Sequence, residues 1–285
     1  MKKKMVFLKD RLINEGYFDT EKEATSWAMM KRILVDNEMV FSINTKVSED
    51  SVIRIKEYYK RRYVNKGGLK LEKALAEFKI DVTDLVCLDC GASMGGFTDC
   101  LLQHGAKYCY AVDVGHGQLA AKLIIDERVE NLERTNISDE KLLHLSPTPQ
   151  LVTLDLSYLS LRKGIPTAMS IMKNEGTIIA LIKPIYEVYN TEIRRTGNVN
   201  EPEIHKEILS NLLSFINETN IKIIGLTNSP IKGNNDAIEY LIGLSTVGDH
   251  KDRNEGGIED MVDIDRAIED AFKLEKFSKN EHPKP

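Results

Sequence analysis

The chain has 285 residues, a formal net charge of −5 and 42% hydrophobic residues, enough for one sizeable core and a small accessory domain. Its longest apolar run, Thr177 to Ile182, is strand-sized, far short of the ~20 residues that cross a bilayer as a helix. Lys2-Lys3-Lys4 is followed by Lys9, Asp10 and Arg11 rather than by an apolar signal segment, so a cytoplasmic, non-membrane protein is expected.

Charge is uneven along the chain. Residues 1–62 hold 14 Lys+Arg against 10 Asp+Glu, whereas residues 245–285 hold 7 against 11. The basic excess at the start is compatible with RNA phosphate contacts without announcing them. Val6, Leu8, Leu12 and Ile13 recur at roughly helical spacing until Gly16, and Thr20 with Glu23 forms a capping box. Helices are therefore predicted over 5–16 and from Thr20 to about Leu34, followed by short strands at 38–43 and 51–56 that form a hairpin. Together they make a small α+β domain over 1–60. Lys56, Lys60, Arg61, Arg62 and Lys66 cluster around a basic linker at 61–66, a candidate phosphate-binding track or simply a solvated connector.

From residue 67 to about 246, helical and strand patterns alternate, with strands expected near 85–90, 107–113, 129–133, 150–156, 176–183, 222–228 and 237–244. Such alternation predicts an α/β, doubly wound sheet. The first strand runs into Asp89-Cys90-Gly91-Ala92-Ser93-Met94-Gly95-Gly96-Phe97-Thr98, where glycines allow a ligand to lie against the main chain. A carboxylate at Asp89 would repel a pyrophosphate and attract a cation, which favours S-adenosylmethionine over a dinucleotide. The alternative is a tight strand-to-helix turn with no ligand. Asp113 closes the next strand, where an acid accepts hydrogen bonds from ribose hydroxyls or merely ends a turn.

Cys87, Cys90, Cys100 and Cys109 all lie in this half. Period-two geometry sends Cys87 and Cys90 to opposite faces and no second ligand pair follows, so core residues are expected rather than a metal site. Beyond Ser245 the chain is charged. One amphipathic helix is predicted near 259–276, within an extension over 247–285 whose end is expected to be disordered.

Seven ordered segments carry a family resemblance: Gly67 to Leu75, Asp89 to Leu102, Ala111 to Leu119, Glu133 to Asn136, Leu154 to Ser157, Lys183-Pro184, and Ser229 to Gly233 with Ile238-Glu239-Tyr240. Residues from about 63 to 244 resemble the methyltransferase domain of the TlyA family, ribosomal RNA 2′-O-methyltransferases related to the FtsJ group and often labelled hemolysins. The resemblance implies a seven-stranded sheet whose last strand is antiparallel, S-adenosylmethionine as cofactor, ribosomal RNA or a ribosomal subunit as partner with cytidine as target, and an RNA-binding S4 domain over 1–60. It also implies a catalytic tetrad of Lys70, Asp155, Lys183 and Glu239, with Lys183 as general base, Lys70 orienting the hydroxyl or a nearby phosphate, and the carboxylates holding both lysines. Cofactor contacts are implied at Asp89, Gly91, Ala92, Ser93, Gly95, Gly96, Phe97, Asp113, Val114 and Asn136.

The chain departs from the family in two places. Phe7, Thr20-Glu21 and Val35-Asp36-Asn37 stand where S4 domains of this family carry an arginine, a Ser-Arg and a Val-Asn-Gly turn, and Ile185-Tyr186 replaces Gln-Phe after Lys183-Pro184. Two other functions stand beside methyl transfer: a membrane-active hemolysin, as the family's label suggests, and, given the altered S4 positions, a non-catalytic RNA-binding or ribosome-binding protein that keeps the fold.

Overall fold

The computed structural model describes residues 4–18, 20–55, 62–219, 221–246 and 262–274, which fall into two compact units divided near residue 60. In the smaller unit, β1 (Met5–Phe7) pairs antiparallel with β4 (Lys46–Ser48), and β2 (Ile33–Val35) is flanked by β3 (Glu38–Val40) and β5 (Ile53–Ile55). Helices α1 (Leu8–Asn14) and α2 (Glu21–Met29) supply Leu8, Leu12, Ala24 and Ala28 to a core shared with Phe18, Ile33 and Ile53.

Two helix expectations are corrected here. The first helix begins at Leu8 because Met5–Phe7 is a strand, and the second ends at Met29 rather than Leu34. Lys31 adopts a left-handed φ of 58° that breaks the helix, and the apolar run Ile33-Leu34-Val35 becomes the central strand of a three-stranded sheet instead of the end of that helix, so the expected hairpin of 38–43 with 51–56 is replaced by two strands that each pair with it. The capping box holds: Thr20 Oγ1 accepts the Glu23 amide at 3.2 Å.

The larger unit is built on a seven-stranded sheet. Its strands are β6 (Val86–Cys90), β7 (Tyr108–Val112), β8 (Val129–Leu132), β9 (Leu151–Leu154), β10 (Thr177–Ile182), β11 (Lys222–Asn228) and β12 (Tyr240–Ser245), in the order β11-β12-β10-β9-β6-β7-β8. Five strands from β8 to β10 pair in parallel, and β12 runs antiparallel between β10 and β11. Side chains alternate between two cores. Leu88 and Cys90 face one core with helices α6 (Leu161–Ile171) and α9 (Pro202–Asn217). Cys87 faces the other with α3 (Gly67–Phe78) and α4 (Gly96–Gln103). Both faces are covered, which is why these strands read as nearly continuous apolar runs.

Three short helices, α5 (Ala121–Ile124), α7 (Pro184–Glu187) and α8 (Thr191–Thr196), sit in the connections. The last helix of the described residues, α10 (Ile264–Phe272), packs on α9 and β11 and buries Ala267, Ile268 and Ala271 in the main core. The order of strands reverses between β6 and β9, so their carboxyl ends open a crevice at the topological switch point, the usual ligand site of an open α/β sheet.

Candidate active site

A cleft of about 490 Å³ opens at that crevice, within the ~300–1,000 Å³ range of small-molecule sites. Gly91, Ala92, Ser93, Gly96 and Phe97 line it together with Lys70, Asp155, Lys183 and Glu239. Gly91 has a φ of 88°, and a Cβ there would press into the Asp155 carbonyl oxygen, so glycine is what allows the β6 and β9 loops to meet. Gly95, at φ 90°, begins α4, and a Cβ there would collide with Leu119 and Leu123. Its role is packing rather than lining the cleft.

The expected cofactor role of Asp89 is corrected by the direction of its side chain. Asp89 is fully buried, and its Oδ2 accepts the Thr98 amide at 2.9 Å and the Thr98 hydroxyl at 2.7 Å, while Oδ1 accepts the Thr153 hydroxyl at 2.9 Å. It satisfies an otherwise unpaired amide of the first turn of α4, a helix with no side-chain cap of its own, and ties β6 to β9. Desolvation pushes its carboxyl up to about 6, against the opposing pull of the threonine hydrogen bonds.

Asp113 stands at the end of β7 and organises the loop opposite. Its Oδ2 accepts the Ser93 amide at 2.8 Å and its Oδ1 accepts the Gly115 amide at 2.6 Å. Val114, beside it, is 69% exposed. Glu133 was not foreseen as part of this region; it accepts the Gly117 amide at 2.9 Å and holds His116 at 2.6 Å, fixing the loop after Asp113. Asn136 is exposed, and its carboxamide oxygen accepts the Ser138 amide and hydroxyl in a local turn, outside the residues lining the cleft.

The four expected catalytic residues meet as two ion pairs. Lys70, in the first turn of α3, is buried and reaches Glu239 Oε2 at 2.5 Å. Lys183 reaches Asp155 Oδ1 at 2.6 Å and donates to Ser157 Oγ at 3.2 Å. Asp155 follows β9 and Lys183 follows β10, adjacent parallel strands in register from Thr177 opposite Leu151 to Ala180 opposite Leu154. Pro184 at the first position of α7 keeps Lys183 extended, at φ −108° and ψ 103°. Burial raises the Glu239 carboxyl above its ordinary range, and the Lys70 ammonium pulls it back down.

Glu187, three residues beyond Pro184, anchors that short helix. It is buried and accepts the Leu161 amide at 2.6 Å, the Ser160 hydroxyl at 2.7 Å and Arg162 Nη1 at 2.8 Å. Tyr186 packs against Tyr158, ring centroids 5.5 Å apart. Of the expected RNA contacts, Lys56, Lys60 and Arg61 lie outside the described residues. Arg62 is paired with Glu72 and lies over the Tyr63 ring, and Lys66 lines the cleft. All four cysteines are buried free thiols.

The family model for FtsJ-like methyltransferases matches residues 63–246. The chain is 37% identical to Bacillus subtilis YqxC over 274 residues, covering 95% of this chain and 96% of that one. It is 32% identical to the 16S/23S rRNA (cytidine-2′-O)-methyltransferase TlyA of Mycobacterium tuberculosis over 251 residues, 88% of this chain and 93% of the relative. A solved hemolysin-labelled structure from Streptococcus thermophilus superposes with a TM-score of 0.69 at 32% identity, covering 94% of this chain and 96% of the other. With the family model spanning the whole sheet and these relatives aligned along nearly their full length, the chain belongs to the FtsJ-like methyltransferases and, among them, to the group that includes TlyA and YqxC.

Proposed function

We propose that this protein transfers a methyl group from S-adenosylmethionine to the ribose 2′-hydroxyl of a cytidine in ribosomal RNA, acting on ribosomal RNA or subunits in the cytoplasm. The observation that carries the reading is the pairing of Lys70 with Glu239 and of Lys183 with Asp155 in one cleft that also has a glycine-lined floor. The residues present fit the cofactor. The floor from Gly91 to Gly96 leaves an open cradle, and Asp113 lies beyond Ser93 with a carboxylate able to share lone pairs with a ribose diol. Gly91, Ala92, Ser93, Gly96 and Phe97 would hold its methionine part, Asp113 its ribose and Val114 its base. When bound, S-adenosylmethionine supplies an electrophilic methyl carbon on a sulfonium that leaves readily.

The protein's own task is then to align the ribose oxygen and remove its proton. Having released its own proton to solvent, Lys183 takes the ribose proton on Nζ, and Asp155 and Ser157, already within hydrogen-bonding reach, hold the resulting ammonium. Lys70 orients the hydroxyl from the deeper side, kept in place by Glu239. Asp89 acts on the site only through structure, by holding α4 and β9.

The small unit is proposed as an S4-like RNA-binding module whose contacts differ from those usual in the family. Phe7 occupies the place of an arginine, with the Lys46 ammonium 5.3 Å from its ring centroid. No helix among the described residues is long and apolar enough to cross a membrane. A membrane-active role would also leave the two ion pairs without a task, so methyl transfer is the reading favoured over the hemolysin label.

The test is incubation of the purified protein with labelled S-adenosylmethionine and unmodified small and large ribosomal subunits, followed by nuclease digestion. Label recovered as 2′-O-methylcytidine is expected. Label on a base, or in no RNA at all while the cofactor still binds, would overturn the reading.

A further inference from the structure

The charges that line the cleft do not cancel. Lys70 is matched by Glu239 and Lys183 by Asp155, and Lys66, which also lines the cleft, is not without a partner, but Lys232 lines the same cleft with no hydrogen bond or ion pair to its ammonium among the described residues. It is carried by the connection between β11 and β12, and that connection is tightly held. Buried Ser229 donates from Oγ to the Ile231 carbonyl at 2.5 Å and accepts the Ile231 amide at 3.3 Å. Asn228 donates to the Ser229 carbonyl at 3.0 Å and accepts Lys73 of α3 at 2.7 Å, one helical turn from Lys70. The Gly233 amide donates to the Ala237 carbonyl at 2.8 Å. A Cβ on Gly233 would collide with the Glu239 carboxylate, so the missing side chain lets the loop lie directly against the tetrad. Lys232 is thus a cation on a fixed support beside the Lys70–Glu239 pair.

We propose that Lys232 binds a backbone phosphate of the acceptor RNA strand, next to the ribose presented to Lys183. This deepens the methyl-transfer reading and rests on it. The cleft has two anionic visitors to consider, the RNA phosphate and the cofactor carboxylate. Sheet order favours the phosphate: β12 lies three strand spacings from β6, about 14 Å across the sheet, so Lys232 stands on the tetrad side, away from the glycine floor that begins at β6. Two neutralised ion pairs leave the acceptor side without a net positive charge of their own. A phosphodiester entering there would meet Lys232 as an uncompensated counter-charge.

The experiment compares full-length wild type with Lys232→Gln, Lys232→Glu and Lys232→Arg. It measures KM for unmodified ribosomal subunits, equilibrium binding of deproteinised 16S and 23S ribosomal RNA between about 50 and 200 mM salt, and S-adenosylmethionine affinity by calorimetry. Loss of one charge-assisted contact is expected to raise KM for RNA about tenfold in the Gln variant, and further in the Glu variant. The slope of log affinity against log salt should fall by about 0.7–0.9, with Lys232→Arg restoring both. Cofactor affinity should stay at the wild-type value. Wild-type KM and salt slope in Lys232→Gln would overturn the proposal. Weakened cofactor binding would overturn it too, reassigning Lys232 to the cofactor carboxylate. If the wild-type protein methylates no RNA, the function proposed above fails, and the salt slope still decides whether Lys232 meets phosphate.

Discussion

The two lysine–carboxylate pairs of the cleft share one chemistry in two settings. Lys70 and Glu239 are brought together across 169 residues of sequence, with side chains 10% and 6% exposed. Lys183 and Asp155 end neighbouring strands, with side chains 16% and 24% exposed. The inner pair is closed in. Its members are desolvated, and burial raises the Glu239 carboxyl above its ordinary value, a shift that the Lys70 ammonium opposes only in part. The outer pair is open enough for a substrate hydroxyl to reach the nitrogen, and its lysine has a second partner in Ser157. An enclosed pair suits orientation, whereas an accessible pair suits proton transfer.

Substitutions can break that contrast. The largest effect on rate is expected from Lys183→Ala. Loss of a general base typically costs about 10²–10⁴, and lost alignment adds to it. The variant should melt close to wild type in thermal denaturation and still bind S-adenosylmethionine. Lys70→Met should show the reverse balance. Removing one member of a buried pair leaves an uncompensated carboxylate and costs about 3–5 kcal/mol of stability, so the denaturant midpoint should fall sharply. In that variant Glu239 loses the charge that holds its pKa down, and stability should drop further as pH rises and the buried carboxyl is forced to ionise. A denaturant midpoint equal to wild type in Lys70→Met, or a collapse in Lys183→Ala, would erase the distinction between the pairs.

A smaller effect is expected at the cofactor end. Asp113→Ala should weaken S-adenosylmethionine binding by about 1.5–3 kcal/mol for each strong hydrogen bond lost, and it also releases the Ser93 and Gly115 amides from their acceptor. Asp113→Asn, which keeps one oxygen acceptor, should fall between wild type and Ala in calorimetric titration. Unchanged affinity in Asp113→Ala would remove this residue from the site.

Asp89 offers the most delicate readout. Its carboxyl, ordinarily at 3.8, is raised to about 6 by burial, so the folded state binds this proton more readily than the unfolded state. The associated stability is complete below the ordinary value and is lost as pH rises to about 6, with no further change above that. The stability difference, wild type minus Asp89→Asn, should therefore decline through this window. A difference that grew with pH would mean that the threonine hydrogen bonds outweigh desolvation.

Much of the larger unit was legible in the chain because its strands are buried on both faces. Runs such as Thr177 to Ile182 leave no amphipathic ambiguity, and turn residues bound them. The outer pair was legible for the same reason: Asp155 and Lys183 follow consecutive strands, and sheet topology puts both at one edge. The inner pair was not legible from local pattern, since nothing in the first turn of α3 shows that Lys70 turns inward to a residue near the far end of the sheet. Only the family motifs paired them. The position of Asp89 at a strand end says nothing of which way it points; the side chain turns to the Thr98 amide and the Thr98 and Thr153 hydroxyls instead of the cleft. In the small unit, Ile33-Leu34-Val35 suits a helix or a strand equally well, and Lys31 in a left-handed conformation decides between them.

Acceptance of the ribose proton by Lys183 is open to a direct test, single-turnover methyl transfer by Lys183→Arg. Guanidinium keeps a positive charge at the same strand end but does not give up a proton near neutral pH. With cofactor binding verified by calorimetry and ribosomal subunits in excess, the variant is expected to lose at least about 10²-fold in the single-turnover rate. A rate near wild type would contradict proton transfer to Lys183 and leave that residue an electrostatic role alone.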